Sequence, residues 1–536
     1  MNTFVFAIDG ASPNLVNKWI KEGHLPNLKK IKDQGVSGKL KSTFPPLTGP
    51  AWSSFQTGVN PGKHGVFNWL TLNDSYKGKV INRTSIKTRT VWKFISSQGG
   101  KVGLVSLPVT YPPEKVNGFI IPGFLTPKNS AQRSYPKQLL GEVESSFPEF
   151  NSYVDEYMGG SKEDWVTYLT QSVQTRGEAG RFLFKKDLQE STSKHNHSLF
   201  LTHFFATDLV QHFLWDRVEE NWDPRLEVFK KVDEEIGKTM EMASNNSSFL
   251  VVSDHGFGPV KRIFNVNNWL REEGYLKVEN TFRANFKQVL SKFGVNQHKL
   301  KPLGEKIYPV VKNLGLVPNN VISASSHPAL KAFFLSDRDV NWEETSAYSR
   351  SDIGHIRLNM SGREKEGWID QEKGHSILSG IRKKLEKIKV PEENTNLTEW
   401  VKKKEDIYYG PYLKDAPDLL FNPLPSKSLG FGASMFLSED IFVNSFKPGN
   451  HRINGILMAS GPSVQPGGRN ASITDIAPTL LNLFGYPVPE QMDGEVIREI
   501  APKEPSYYRP KDFYKSRKIG EEVEDSREKL EHLGYL

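Results

Sequence analysis

The 536-residue chain contains no cysteine, and that absence removes disulfide staples, thiolate zinc sites and a cysteine nucleophile together. Any metal must be held by oxygen and nitrogen. Long apolar runs are missing too: none approaches the roughly 20 residues that a membrane helix needs. The amino terminus, MNTFVFAIDGAS, has no basic start and an early Asp9, so it reads as a strand and not as a signal peptide. The simplest expectation is a cytoplasmic protein without a membrane span. Charge of one sign is not concentrated either. Lys plus Arg number 70 against 62 Asp plus Glu, a net charge of +8, and the basic clusters VKKKED and IRKKLEKIKV are short and interleaved. They read as solvated helix faces, so nucleic-acid binding is not expected, while a mild pull on anionic substrates is. There is no internal repeat and no low-complexity tract, and nothing in the sequence addresses oligomeric state.

What is present is an alternation of strand-like and helix-period segments: FVFAIDG, LVNKWIKEGHLPNLKKIK, KVGLVSLP, GFIIPG, SLFLTHFFATD and FLVVSDHG. Continuous apolar strands alternating with helices predict an α/β fold, a mostly parallel sheet covered by helices on both faces. Segment 153–194 reads as a charged, aromatic-bearing helical region over the sheet, and 275–312 as a second, basic helical segment. GILMASG returns to the buried-strand pattern, and SITDIAPTLLNLFG follows as a capped helix that closes on glycine. The expected organisation is a core of 1–275 and 437–500, an insertion or cap at 276–436 and a helical tail at 501–536.

Chemistry-bearing side chains gather at strand ends. In VVSDHGFGP, Asp254 and His255 follow an apolar strand; neighbours in a strand face opposite ways, so both can meet one ligand only where the chain has left the sheet. Asp9 ends the first strand before Gly10. Thr48, in TFPPLTGPAWSSF, stands at a helix amino terminus, where free N–H groups and the dipole favour an anion. Asp208 and His212 are spaced D-x-x-x-H, one face of a helix, and His451 precedes the strand GILMAS. Each alone has a plain structural reading as a cap, a turn or a loop histidine. Together, three aspartates, three histidines and a hydroxyl supply two metal sites with three or four ligands apiece.

The motifs AIDGASP, FPPLTGPAWSSFQTGVNPGKHGVFNW, VTYPPEKVNGFIIPG, TDLVQHFLWD, VVSDHGFGP, HRINGILMASGP and TDIAPTLLNLFGYPVPEQMDG occur in one order from about residue 5 to 495. In them the chain resembles the alkaline phosphatase superfamily, in its type I phosphodiesterase and nucleotide pyrophosphatase branch, and within that the bacterial and archaeal group of predicted phosphohydrolases or phosphomutases. The resemblance implies an alkaline-phosphatase-like three-layer sandwich. It further implies that Asp9, Thr48, Asp254 and His255 hold one divalent ion, that Asp208, His212 and His451 hold another, and that Thr48 is the nucleophile. Zinc suits such ligands best, with manganese or magnesium as alternatives. The branch usually carries an asparagine shortly after an H-G pair. Here His64 and Gly65 lead to Asn68, offset by about one position, so Asn68 is a weak substrate-binding candidate beside Lys63, with His64 as a further donor or a loop brace.

The expected activity is a two-metal phosphohydrolase acting on a small phosphorylated substrate, most simply a phosphodiester, through a phosphothreonine. A phosphomutase or phosphomonoesterase would use the same ligands. A sulfatase is disfavoured, because its maturation motif places Cys or Ser where this chain reads T-G-P-A-W. A binding scaffold on a retired enzyme fold should have lost ligands, and none of the seven is missing. Tyr157, Trp165 and Phe184 are aromatics available to stack on a substrate or, more simply, to pack.

Overall fold

The computed structural model describes residues 2–530 apart from 72–75, 77, 129, 152–160, 189–196, 293–334, 351–353, 392, 425–428, 433–439, 446, 515–525 and 528. Tyr157, part of segment 153–194, residues 293–312 of the basic segment and half of the tail lie outside the described residues.

The elements that build the core are β1 (Asn2–Ile8), α1 (Pro13–Lys21), α2 (Pro26–Asp33), β2 (Val36–Lys41), α3 (Thr48–Thr57), α4 (Val91–Ser97), β3 (Lys101–Leu107), β4 (Gly118–Pro122), α5 (Lys162–Leu183), β5 (Ser198–Phe204), α6 (Ala206–Leu214), α7 (Pro224–Met242), β6 (Ser247–Val252), β7 (Gly256–Pro259), β8 (Gly449–Arg452), β9 (Asn454–Ser460) and α8 (Ile476–Leu483). A nine-stranded sheet runs in the order β2-β9-β6-β1-β5-β3-β4, with short strands Gly467–Gly468 and Ala471–Ser472 beyond β2. Strands β6, β1, β5, β3 and β4 are mutually parallel, and β9 alone in this series runs against its neighbours β6 and β2.

Helices cover both faces, because a strand buried on two sides must be apolar at every position. In β1 the side chains of Phe4, Phe6 and Ile8 join one cluster with Trp19 of α1, Leu28 of α2, Leu169 of α5, Leu209 of α6 and Val228 of α7. Its alternate residues Val5 and Ala7 join the opposite cluster with Trp52 and Phe55 of α3, Trp92 of α4 and Leu480 of α8. Local signals start several helices: Pro at the first turn of α1, α2 and α7, and the side chains of Ser161 and Asp223 accepting from the N–H groups of Asp164 and Arg225 to cap α5 and α7.

A third cluster forms a separate core from Phe264, Trp269, Tyr348, Ile356, Leu378, Val401 and Phe421. It lies between an antiparallel four-stranded sheet (Ala347–Tyr348, His355–Leu358, Leu419–Pro423, Thr398–Lys403) and the helix Gln371–Leu385. This part touches the chain on both sides of α3. Tyr408 donates to Phe44 O at 2.7 Å, Trp400 packs on Phe44 with ring centroids 4.7 Å apart, and Asn68 Nδ2 donates to Arg350 O at 3.0 Å. Among the described residues no helix is long and apolar enough to cross a membrane.

Candidate active site

The carboxyl ends of the parallel strands bring the chemistry together, which is where open α/β sheets place their sites. Asp9 follows β1 directly, its N–H still paired to Phe204 O at 3.1 Å. Gly10, at φ +71°, turns the chain away, and a Cβ there would lie 2.9 Å from the Phe257 ring. Thr207 donates to Asp9 O at 2.6 Å and Gln211 to Gly10 O at 2.9 Å, so α6 docks on the end of β1 with Asp208 and His212 facing inward. After β6 the segment Ser253–His255 crosses from the sheet into a ribbon in which β7 pairs antiparallel with β8. A Cβ on Gly256 would lie 2.1 Å from Asn454 O, so only glycine allows that approach. The ribbon sets His451 opposite Phe257, two residues from His255. Because β9 is antiparallel, a residue ahead of it reaches the same edge as residues that follow the parallel strands.

Thr48 opens α3, yet its side chain does not cap it: the N-cap is Leu47, which makes no side-chain bond. The hydroxyl instead lies 3.3 Å from His255 Nε2. All seven residues predicted to form the site meet here and are buried. His255 Nε2 is 3.1 Å from Asp254 Oδ2 and 3.4 Å from Asp9 Oδ1. His451 Nε2 is 3.2 Å from Asp208 Oδ1 and 2.9 Å from His212 Nε2, which is in turn 3.6 Å from Asp208 Oδ2.

The tautomers say what such a cluster is built to hold. His212 Nδ1 lies 3.0 Å from Gly449 O, His451 Nδ1 2.9 Å from Pro46 O and His255 Nδ1 3.2 Å from Gly256 O. A carbonyl only accepts, so each Nδ1 carries the proton and each Nε2 turns its lone pair inward, onto another lone pair or a carboxylate. Such pairs repel unless a positive charge lies between them. Protons are a poor choice: burial, then the neighbouring His451, holds His255 down at about 4, and burial holds His451 at about 3 and His212 well below the ordinary value. Burial and then Asp208 push Asp9 up to about 8, and burial followed by Asp9 and Asp208 raises Asp254 well above the carboxylate range. Asp9 Oδ1 and Asp254 Oδ2 accept no hydrogen bond among the described residues. Donor atoms of Asp9, Asp254 and His255 lie within 4.8 Å of one another, as do those of Asp208, His255 and His451. This donor set fits divalent cations, with imidazoles oriented through their far nitrogen as metal-binding histidines usually are.

The weaker candidates lie differently. Lys63 is paired with Asp493 and donates to Gln491 O at 2.8 Å, which commits it to a brace. His64 accepts from Val66 N–H at Nδ1, 3.1 Å away, so its Nε2–H faces Ser54 Oγ at 2.9 Å, and burial holds its pKa down at about 3. Asn68 accepts from its neighbour Trp69 N–H at 2.8 Å while donating to Arg350 O, which ties the loop after α3 to the insertion. Trp165 stacks edge-on to Phe213 with centroids 5.9 Å apart, and Phe184 lies against Phe4 at 4.8 Å, so both pack. Two residues unread in the sequence enter the site: His203 of β5 and Trp52 of α3, both hydrogen-bonded to Asp9 Oδ2, at 2.9 and 3.1 Å. Their only sequence signals were a histidine inside an apolar strand and a tryptophan four residues after Thr48.

The family described as type I phosphodiesterase / nucleotide pyrophosphatase matches residues 3–434, and the chain belongs to it. It is thus a phosphoric ester hydrolase with an alkaline-phosphatase-like fold. Phosphonoacetate hydrolase from Sinorhizobium meliloti 1021, in complex with phosphonoacetate, is 14% identical with a TM-score of 0.51, over 88% of this chain and 93% of that one. Its complex with phosphonoformate gives a TM-score of 0.50 at the same identity and coverage. Human ectonucleotide pyrophosphatase / phosphodiesterase 5 is 12% identical over 92% of this chain and 97% of its own, with a TM-score of 0.46. At such identities the likeness shows the fold alone. No curated protein matches in sequence.

Proposed function

We propose that the protein is a two-metal phosphodiesterase of the nucleotide pyrophosphatase type, with Thr48 as nucleophile. The observation that carries this reading is the convergence of three inward-facing Nε2 lone pairs and the oxygens of three buried aspartates beside the hydroxyl that opens α3. Asp9, Thr48, Asp254 and His255 would hold one divalent cation and Asp208, His212 and His451 the other, zinc by donor chemistry with manganese or magnesium as substitutes. Bound there, the cations would supply the charge that polarises a phosphoryl group and acidifies the Thr48 hydroxyl.

The remaining steps belong to the chain. Thr48 Oγ1 bonds to phosphorus as the bond to the leaving oxygen breaks; the hydroxyl proton passes to solvent and the leaving oxygen takes one up. Water then cleaves the phosphothreonine, releasing a phosphomonoester and restoring Thr48. The dipole of α3, with its amino end under Thr48, favours the anionic group that sits there. Charge counting supports a diester. Two dications against three aspartates and one alkoxide leave a near-neutral centre, which suits a monoanion better than the dianion of a monoester.

The test combines metal analysis with hydrolysis of bis(4-nitrophenyl) phosphate by the wild type and Thr48→Ala. The expected result is two bound cations per chain and turnover that vanishes in the variant; equal turnover by both would falsify the assignment of Thr48. Assays of dinucleotide, nucleotide pyrophosphate and sugar phosphate side by side, with product analysis, separate hydrolysis from transfer back to a sugar as in a mutase.

A further inference from the structure

Two ring nitrogens that no metal site requires face Asp9 Oδ2: Trp52 Nε1–H, which can only donate, and His203 Nε2, to which the proton is assigned because a carboxylate accepts and His203 Nδ1 has no hydrogen-bond partner among the described residues. His203 Nε2 lies 2.9 Å from Oδ2 and Trp52 Nε1–H 3.1 Å. The two rings stand perpendicular, at 89° with centroids 5.2 Å apart, so both donors converge on one oxygen. All three residues are completely buried. The arrangement follows from the register. His203 is the parallel partner of Ala7, on the same strand face that Asp9 continues two residues later. Trp52 lies one helical turn after Thr48, on the same side of α3. One turn of helix therefore offers a hydroxyl to the reacting centre and an indole to the carboxylate beside it.

Two donors on Oδ2 restrict how the carboxylate can turn, and its Oδ1, which accepts no hydrogen bond among the described residues, is left facing His255 Nε2 at 3.4 Å. We propose that His203, assisted by Trp52, is a positioning residue that fixes the orientation of Asp9 and thereby sets the affinity of the cation site to which Asp9 belongs. This rests on the two-metal reading above. Outer partners of metal ligands commonly tune affinity by about 10–100-fold. Packing alone would explain a buried ring here, but a phenylalanine would then serve as well as a histidine.

The experiment uses the full chain, stripped with a chelator and titrated with Mn²⁺ and with Zn²⁺ by calorimetry, in the wild type, His203→Phe, His203→Gln and Trp52→Phe. His203→Phe keeps ring volume and removes the donor, while His203→Gln restores an N–H near the Nε2 position. The expected outcome is one weak and one unchanged cation site in His203→Phe, with affinity lower by about 10–100-fold, recovery towards wild type in His203→Gln and a smaller loss in Trp52→Phe. Activity lost at limiting cation should return at saturating cation, which a packing defect would not allow. Wild-type affinity at both sites in His203→Phe overturns the proposal. Should that variant not fold, unchanged affinity in Trp52→Phe overturns it instead. A wild type that binds no cation sinks the two-metal reading and not this role alone, so the two failures are distinct.

Discussion

Beside the third core, Asp418 is buried and accepts Arg363 Nη1 and Nη2 at 2.8 and 2.6 Å, Lys404 Nζ at 2.9 Å and the Leu358 N–H at 2.8 Å. At the sheet edge, Asp9 and Asp254 are buried as deeply, yet among the described residues their charged neighbours are imidazoles and carboxylates, with no lysine or arginine paired to them. The consequences are opposite. Burial would raise Asp418, but hydrogen bonds and charge from Arg363, then Lys404, hold it well below the carboxylate range. Burial meets no such answer at Asp9 and Asp254, and both are raised. The same residue type is thus a settled structural charge in one region and a carboxylate without a protein counter-charge in the other, where the proposed cation would supply it; the difference lies in whether the fold provides the counter-charge itself.

The sharpest test of the contrast is Thr48→Ala. It should cost on the order of a thousandfold or more in turnover while leaving stability near wild type, read by initial rates and thermal melts. Next comes Arg363→Ala, which takes the guanidinium from Asp418 and Glu364 and leaves Asp418 with Lys404 Nζ and the Leu358 N–H. Breaking one partner of a buried pair costs about 3–5 kcal/mol, so the denaturation midpoint should fall sharply with cation stoichiometry unchanged. A fall in cation binding instead would mean that the part around Asp418 and the proposed cation site share one charge balance.

Asp254→Asn should act with the reverse sign. In chelator-treated protein it removes a buried acid that has no lysine or arginine partner among the described residues, so the variant should be more stable than the stripped wild type at pH 8, by on the order of 1 kcal/mol, while losing the stabilisation that added cation gives the wild type. The pH dependence follows the same logic. Asp9 is raised from 3.8 to about 8, so its contribution to cation-free stability is full below its unfolded value and is lost as pH rises through about 8. The site histidines, with lowered values, add no slope above about 6.5, since they are neutral in both states there; their contribution is lost as pH falls below it. Between pH 6.5 and 9 the melting temperature of stripped protein should decline and that of loaded protein should not. Asp418, being lowered, contributes only a loss on the acid side. The smallest effect belongs to Asn68→Ala, which removes the bond to Arg350 O and should cost about 1 kcal/mol with a change in KM before kcat, if the insertion shapes the substrate pocket from that loop.

Legibility from sequence varied with how local the cause was. The strand ends at Asp9 and at Asp254 were readable because an apolar run, a charged pair and a glycine are adjacent in the chain. Asp208 and His212 were readable from their spacing, which α6, running from Ala206 to Leu214, places on one helix face. His203 was not, because a histidine in SLFLTHFF looks like a tolerated core residue until the register with β1 puts it beside Asp9. Lys63 carried the charge expected of a phosphate donor, but its partner Asp493 is 430 residues away and no pattern near Lys63 announces it.

Composition and periodicity by themselves determined the α/β class, the motifs in their order carried the resemblance to the family, and the lack of cysteine excluded thiolate ligands from the centre. Those properties are short-range, written in neighbouring residues. Tertiary structure alone decided that β9 runs antiparallel, which carries His451 to the edge where the parallel strands end, and that three backbone carbonyls turn three imidazoles inward. Both depend on hydrogen bonds between residues far apart in the chain, and strand direction and ring orientation have no local signature, because the side chain alone is compatible with either.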